Sequence, residues 1–586
     1  MRTPLRFVWV AFVLLLAVAP SHANDVEQAP EEGVLPLKVR EYIASKYFDD
    51  IDPEDQRITD SVEVLSVPEA ILKHVRENEW ERGQLKNFAN NKLHVIVTTP
   101  SGELRSIVFR DGNKRNDRKL TPERERVLRR LYSADGFTAP EAAELAAARL
   151  AKLPKPSDVL EQAIGALDEK HKLDDETLKR ARENMKNAKG AGRELAIALS
   201  ALGKSDHAAE NLWAGAWLIS RLDAMAFWRE DDEGSIEDLQ AMDARAFYEN
   251  VYYATKARIE FPWGRECKDA DFLQQVLSPR GTGEPLQRWR RHFFTALAPE
   301  LKDLTKDDAN RAIGLARGAT YDFFQYYGDT TWEDFGMLTA LAVHEGRCED
   351  CSNVENCMLR AVGLPAAQAF TPWWGRGNGN HAWTVIPSID GGKNGNGGKA
   401  VKVYLKTWDK LEDITAANTE VVEVAVELDE GVTGEKAGLN VWNAEEWRLV
   451  ARSEIEGRNV VFKDVGRRLP FVLLVTAENS VDRLLTIVDG NVRFLDNSPY
   501  KEAGEAAFTV ELEKSCDLGE FEPDEEYTVF VQTVDGWQEI ESERLSTGGL
   551  SFNCDPQRLY NVEGAGINAR PFTAAPAEDG PAITRY

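Results

Sequence analysis

Three rhythms of apolar and polar residues follow one another along the chain. Between 137 and 345 apolar residues recur at steps of three and four, which predicts amphipathic helices over 139–153, 157–167, 175–202 and 207–228. Glu and Lys fill the opposite faces, as exposed helices require. Pro154-Lys155-Pro156 separates the first two. After 410 the period falls to two. Strands are predicted over 421–428, 439–442, 447–451, 460–462, 471–475, 484–495, 507–512, 527–533 and 537–540, with turn residues between them, the pattern of β-sandwich modules. Ahead of the helices, 94–99 and 104–110 flank the turn Pro100-Ser101-Gly102-Glu103 and predict a hairpin. The charged run 111–119 that follows reads as a solvated loop.

Two stretches of the β-rich part echo each other. Val441-Trp-Asn-Ala-Glu-Glu-Trp447 is followed by Phe462, and Val531-Gln-Thr-Val-Asp-Gly-Trp537 by Phe552, fifteen residues after Trp447 and Trp537 respectively. That spacing predicts two similar modules. Residues from 568 on are Pro/Ala-rich and read as a flexible tail. In the helical half, the aromatics of 245–290 read as core.

Between the two rhythms lies the stretch that carries chemistry. Residues 349–362 read as a helix with Cys351, Val354, Met358 and Val362 on one face, stopped by Gly363 and Pro365. Cys348 then sits at the first turn. Free N–H groups and the positive dipole end favour a thiolate there and could hold an oxyanion. His381 opens the apolar run His-Ala-Trp-Thr-Val-Ile, which reads as a strand. A cysteine at a helix start facing a strand histidine suits thiol acyl transfer.

Gly346-Arg-Cys-Glu-Asp350, then Arg360-Ala-Val-Gly-Leu-Pro-Ala366, then His381-Ala-Trp383 resemble the core of the transglutaminase-like superfamily. Its pattern is Gly-x-Cys-x-Asp, Arg-Ala-x-Gly-Ile-Pro-Ala and His-Ala-Trp in that order. The segment 245–290 is similar to the one preceding that core in large secreted bacterial members. The resemblance implies a papain-like cysteine enzyme that acts on protein or peptide amides, with Cys348 as nucleophile, His381 as general base and an Asp that orients the imidazole. It needs no cofactor and no metal. An antiparallel return of 400–407 beside the histidine strand would bring Asp409 to His381 and leave Asp390 at the far end. A Lys-Val-Tyr-x-Lys-Thr segment placed after the triad in some relatives would instead favour Asp390. Trp373, Trp374 and Asn380 precede the histidine and either flank the substrate cleft or pack.

The implied fold class is multidomain α+β: a helical region leading into a papain-like core, then β-sandwich modules. The segments are a signal peptide at 1–23, a small mixed domain at 24–136, the helical region at 137–244, the transglutaminase-like core at 245–415, a β-sandwich at 416–500, a second β module at 501–567 and the tail. Arg2 and Arg6 before an apolar run too short to span a bilayer, with Ser21-His22-Ala23 at the cut, predict export to the periplasm or medium. The 98 acidic residues against 71 basic ones argue against nucleic acid and anionic membranes as partners. The partner expected is a protein or peptide substrate, glycosylated ones included. Of six cysteines, Cys516 and Cys554 are the best disulfide candidates, and Cys267 could reach Cys351 or Cys357. A zinc site from His344, Cys348, Cys351 and Cys357 lacks paired Cys-x-x-Cys spacing. The rival function is a surface or periplasmic binding and assembly protein with a vestigial papain-like module.

Overall fold

Apolar faces from four parts of the chain meet around one buried helix. The computed structural model describes residues 35–77, 85, 91–224, 226–227, 236–328, 334–390, 397–406, 411–501, 508–513, 522, 524–544, 549–565, 570–576 and 582–586. The expected signal segment lies outside them. Among the described residues no helix is long and apolar enough to cross a membrane.

Helix α1 (Leu37–Tyr47) sets Val39, Ile43 and Ala44 against an antiparallel sheet of β1 (Val62–Leu65), β2 (Lys92–Thr98), β3 (Leu104–Arg110) and β4 (Asn113–Lys119), in that order. β2 and β3 form the expected hairpin, Thr98 opposite Leu104. The run 111–119 corrects the loop reading, because most of it is edge strand β4. Its charges have partners that hold it extended. Asp117 accepts the Tyr42 hydroxyl at 2.6 Å and an Arg105 N–H at 2.7 Å, and Arg115 pairs at 3.5 Å with the buried Glu345. Helix α2 (Pro122–Leu131) leaves the sheet to join the central core.

The helices α3 (Ala143–Leu150), α4 (Pro156–Gly165), α5 (Asp175–Asn187), α6 (Ala191–Leu202), α7 (Ala208–Ile219) and α8 (Ala244–Glu260) share a second core built on Leu145, Leu160, Ala181, Leu199, Leu218 and Phe247. The single helix expected over 175–202 is two. Lys189, at φ +48°, turns the chain between them. The aromatics of 245–290 are core, with Phe272 and Trp289 almost fully buried. Arg290, also buried, donates to the carbonyls of Val276 (2.8 Å), Ser278 (2.7 Å) and Arg360 (3.1 Å) and to Asn250 Oδ1 (2.7 Å). A buried guanidinium is tolerable only with such satisfaction, and it ties this segment to the central helix.

Around that helix pack α9 (Trp289–Leu301), α10 (Ala309–Phe323) and α11 (Met337–Val343). The helix itself, α12, is Cys348–Ala361. Val354, Met358 and Leu359 are fully buried, each contributing roughly 1.5–3 kcal/mol of burial. Gly363, at φ +79°, ends it as expected. Leu364 N–H bonds Leu359 O and Gly363 N–H bonds Arg360 O, the paired closure that needs a left-handed residue.

Against α12 lies a small sheet of β5 (Ala367–Thr371), β6 (His381–Val385), β7 (Tyr404–Lys406) and β8 (Leu411–Asp413), ordered β6-β5-β7-β8. The predicted β6–β7 hairpin is therefore wrong. β5 sits between them, antiparallel to both, with Phe370 opposite Ala382 on one side and Tyr404 on the other. β6 and β7 consequently run parallel. The alanines of β5 gave no strand signal, but a small central strand is what lets the sheet approach α12 closely.

The β-rich part forms antiparallel sheets. One runs in the order β9 (Val421–Glu427), β12 (Asn459–Gly466), β11 (Glu446–Glu456), β10 (Lys436–Asn443), β13 (Phe471–Thr476), β14 (Arg483–Val488), β15 (Asn491–Phe494). It curls nearly closed over Val424, Leu439, Phe462 and Phe471. The strand expected over 484–495 is the β14–β15 hairpin, turned by Asp489 and Gly490 at positive φ. The second module repeats the order: β16 (Phe508–Glu513) beside β19 (Gly549–Cys554), and β18 (Gly536–Arg544), β17 (Glu526–Thr533), β20 (Tyr560–Glu563), β21 (Phe572–Ala575), β22 (Ala582–Arg585). Strand for strand, β16–β22 follow β9–β15. The echoed tryptophans join the modules, with Trp442 edge-on to Trp447 at 5.4 Å and to Trp537 at 5.3 Å. The flexible-tail reading of 568–586 is corrected by β21 and β22, because Phe572 is fully buried against Phe552 and Tyr560.

Candidate active site

Asp350, not Arg347 or Cys348, fixes the start of α12. Its Oδ2 accepts the Arg347 backbone N–H at 2.8 Å and its Oδ1 the Phe335 N–H at 3.0 Å. These satisfy donors that a helix start and an incoming chain leave open. Burial raises its carboxyl above the ordinary range. Arg347 in turn reaches Asp334 at 2.6 Å. Gly346 must be glycine here, since a Cβ would lie 2.7 Å from Asp350 Cβ and 2.8 Å from Phe324 Cζ. The Gly-x-Cys-x-Asp pattern is thus a device that seats one cysteine at the first position of a buried helix.

The sheet brings His381 to that position. Thr384 Oγ1 donates to Ser352 O at 3.3 Å and Gln368 Nε2 to Ser352 Oγ at 2.7 Å, clamping β6 and β5 onto α12. The backbone N–H of Ala382, the residue after His381, and that of Glu349 each pull the Cys348 thiol down, so both lie near the sulfur. His381 stacks on Trp374 (ring centroids 5.7 Å) and leans on Trp383 (5.5 Å). Among the described residues its ring makes no hydrogen bond, to Cys348 or to any carboxylate.

The electrostatics differ from the expected thiolate. Burial and the Glu349 carboxylate push the Cys348 thiol up to about 12, against the pull of the two N–H groups. The thiol donates to Glu349 Oε2 at 3.1 Å. Desolvation penalises the charged sulfur more than one helix end favours it. Burial lowers the His381 imidazole, with Glu349 partly opposing. The resting pair is therefore a neutral thiol and a neutral imidazole, with Glu349 beside both. Sequence reasoning missed Glu349. Its only signal was an acid adjoining the cysteine.

The other predicted residues are scattered. Asp409 lies outside the described residues. The argument that brought it to His381 falls with the hairpin, because β7 runs parallel to β6 and leaves toward the Val385 end. Asp390 ends a short helix, Pro387–Asp390, beyond the end of β6 opposite His381. Trp374 lies on His381, whereas Trp373 packs on the first β module under Arg448, 4.8 Å from its ring. Asn380 is exposed. Asn443 holds the loop before it, donating to Trp374 O at 2.9 Å and accepting from Gly379 N–H at 2.9 Å.

Cys267, Cys351, Cys357 and Cys554 are free thiols, so the Cys267 pairings do not form. Cys516, the expected partner of Cys554, lies outside the described residues. Among the described residues no His, Cys, Asp and Glu gather closely enough to hold a metal ion.

Residues 296–393 match the transglutaminase-like superfamily core. The chain carries a transglutaminase-like domain. The match runs from α9 through α12 to the residues just after β6, so it contains Cys348 and His381. Comparison with curated proteins returns no match.

Proposed function

We propose that this transglutaminase-like protein is an exported cysteine enzyme acting on protein or peptide amide bonds, with hydrolysis favoured over cross-linking. The observation that supports it is that the Ala382 N–H pulls the Cys348 thiol down, so the residue after His381 lies near the candidate nucleophile. His381 takes the thiol proton as the sulfur attacks the carbonyl, then gives one to the leaving amine. The N–H groups of Ala382 and Glu349 stabilise negative charge at this point. Water releases the acyl group. Glu349 must give up its bond to the thiol before attack and can then support imidazolium. Turnover of a panel of peptide and glycopeptide amides tests this. Cys348→Ala should abolish it, and unchanged turnover ends the reading.

The raised thiol favours a second reading, a surface or periplasmic binding and assembly protein whose papain-like module is silent. Alkylation of Cys348 against pH, with and without an amide substrate, separates the two. A silent site shows no substrate protection.

A further inference from the structure

Asn443 ends β10, and the two residues after it, Ala444 and Glu445 at φ +50° and +64°, turn the chain into β11. The echoed segment of the second module puts Thr533 at the same place, opposite Gly536 as Asn443 is opposite Glu446. Thr533 serves its own turn. Its Oγ1 donates to Gly536 O at 2.9 Å and accepts the Asp535 N–H at 3.2 Å. Asn443 does the reverse. Its side chain is buried, and among the described residues every hydrogen bond it makes leaves the module. Its Nδ2 reaches the carbonyls of Trp374 (2.9 Å), Gly377 (3.0 Å) and Gly379 (3.2 Å), and its Oδ1 accepts the Gly379 N–H (2.9 Å). One buried amide thus spends its bonding capacity on the loop between β5 and β6. The same loop is moulded against the module at Gly375, where a Cβ would collide with Phe471 of β13.

That loop carries Trp374, the ring stacked on His381. The imidazole has no hydrogen bond of its own among the described residues, so its orientation rests on ring contacts. Trp383 lies two residues along the same strand and is placed by β6 itself. Trp374 arrives on a glycine-rich loop, with Gly377 and Gly379 at φ +120° and +78°, and its place depends on what grips that loop. We propose that Asn443 is a positioning residue for the candidate active site: from the first β module it holds the β5–β6 loop so that the Trp374 ring stays on His381. The catalytic meaning rests on the Cys348–His381 reading. The placement rests on the hydrogen bonds. A tryptophan face limits the swing of the imidazole and attracts the cation formed when it takes the thiol proton. The first β module then completes the site across which it packs.

Asn440, three residues earlier on β10, supplies the control. It is also buried, but its Nδ2 bonds Leu474 O (3.0 Å) and Thr476 Oγ1 (3.1 Å) inside the module. The NMR signal of the His381 ring, in the full chain with isotope-labelled histidine and assigned by its loss in His381→Gln, reads the geometry without substrate. Trp374→Leu gives the signal of a His381 lacking that ring. Asn443→Ala should move the native signal toward it, and Asn440→Ala should leave it in place. Asn443→Asp keeps an acceptor for Gly379 and loses the donors. It should move the signal the same way, and it decides the matter if the Ala variant does not fold. Turnover of a peptide amide should fall roughly 10- to 100-fold in kcat in Asn443→Ala and stay native in Asn440→Ala. A Trp374→Leu signal equal to the native one, an unmoved signal in the Asn443 variants, or equal movement in Asn440→Ala would overturn the proposal. Moved signals in a protein whose native form turns over no amide support the placement and fault the catalytic reading alone.

Discussion

Replacing Glu349 by Gln isolates what the structure adds to the cysteine. The carboxylate oxygen is 3.1 Å from the Cys348 sulfur and accepts its proton. At that distance two unit charges interact by roughly 1–5 kcal/mol, between the limits of water and a partly buried site. About 1.4 kcal/mol is one pKa unit. The lower end therefore brings the thiol down by about one unit from about 12. The sign is unambiguous, since the substitution removes both a negative charge and the acceptor that favours S–H. Burial, the larger cause, remains, so the thiol stays above the ordinary range. At pH 8 one unit multiplies the thiolate fraction about tenfold, while the less basic sulfur loses about threefold in nucleophilicity. Iodoacetamide should alkylate Cys348 about three to four times faster, followed by mass spectrometry that separates it from Cys351. Equal rates for the two proteins once both are denatured normalise the reagent. An unchanged or slower rate in Glu349→Gln would refute the placement of the carboxylate on the thiol.

Three further outcomes follow from buried contacts. His344 is held down to about 4 by burial, below its unfolded value near 6.5. The unfolded chain thus binds the extra proton, and its contribution is full above pH 6.5 and lost as pH falls toward 4. His344→Asn, which suits the φ of +63°, should flatten the acid side of the stability curve by about 2 kcal/mol at pH 5 in urea unfolding; an identical slope would contradict it. Gly346→Ala should cost about 1–3 kcal/mol and reduce turnover, because the added carbon meets Asp350 and Phe324; a native urea midpoint would argue against that packing. Phe572→Ala should cost about 3–5 kcal/mol in calorimetric unfolding of the second β module, whereas a dispensable tail would lose nothing.

The central helix, its apolar face, its glycine stop and the strand beginning at His381 were legible because each rests on contacts within a few residues. The same holds for the β2–β3 hairpin. The echo around Trp447 and Trp537 was also real, and the strand orders of the two modules bear it out. What stayed hidden depended on neighbours distant in sequence. The polar strand β4 is held by Tyr42, Arg105 and Glu345, none of which its own pattern reveals. Phe572 turned a Pro/Ala-rich end into sheet because Phe552 and Tyr560 were waiting for it.

By itself the sequence determined the candidate residues and the local frame of each: Cys348 at a helix start, His381 at the head of a strand. Only the tertiary structure decided what surrounds them. The insertion of β5 between β6 and β7 removed the hairpin from which Asp409 had been argued to meet His381. The depth of the sulfur, with Glu349 at its side, made the resting thiol neutral. Strand order and desolvation are both sums over contacts between remote segments, and no local pattern of residues encodes them.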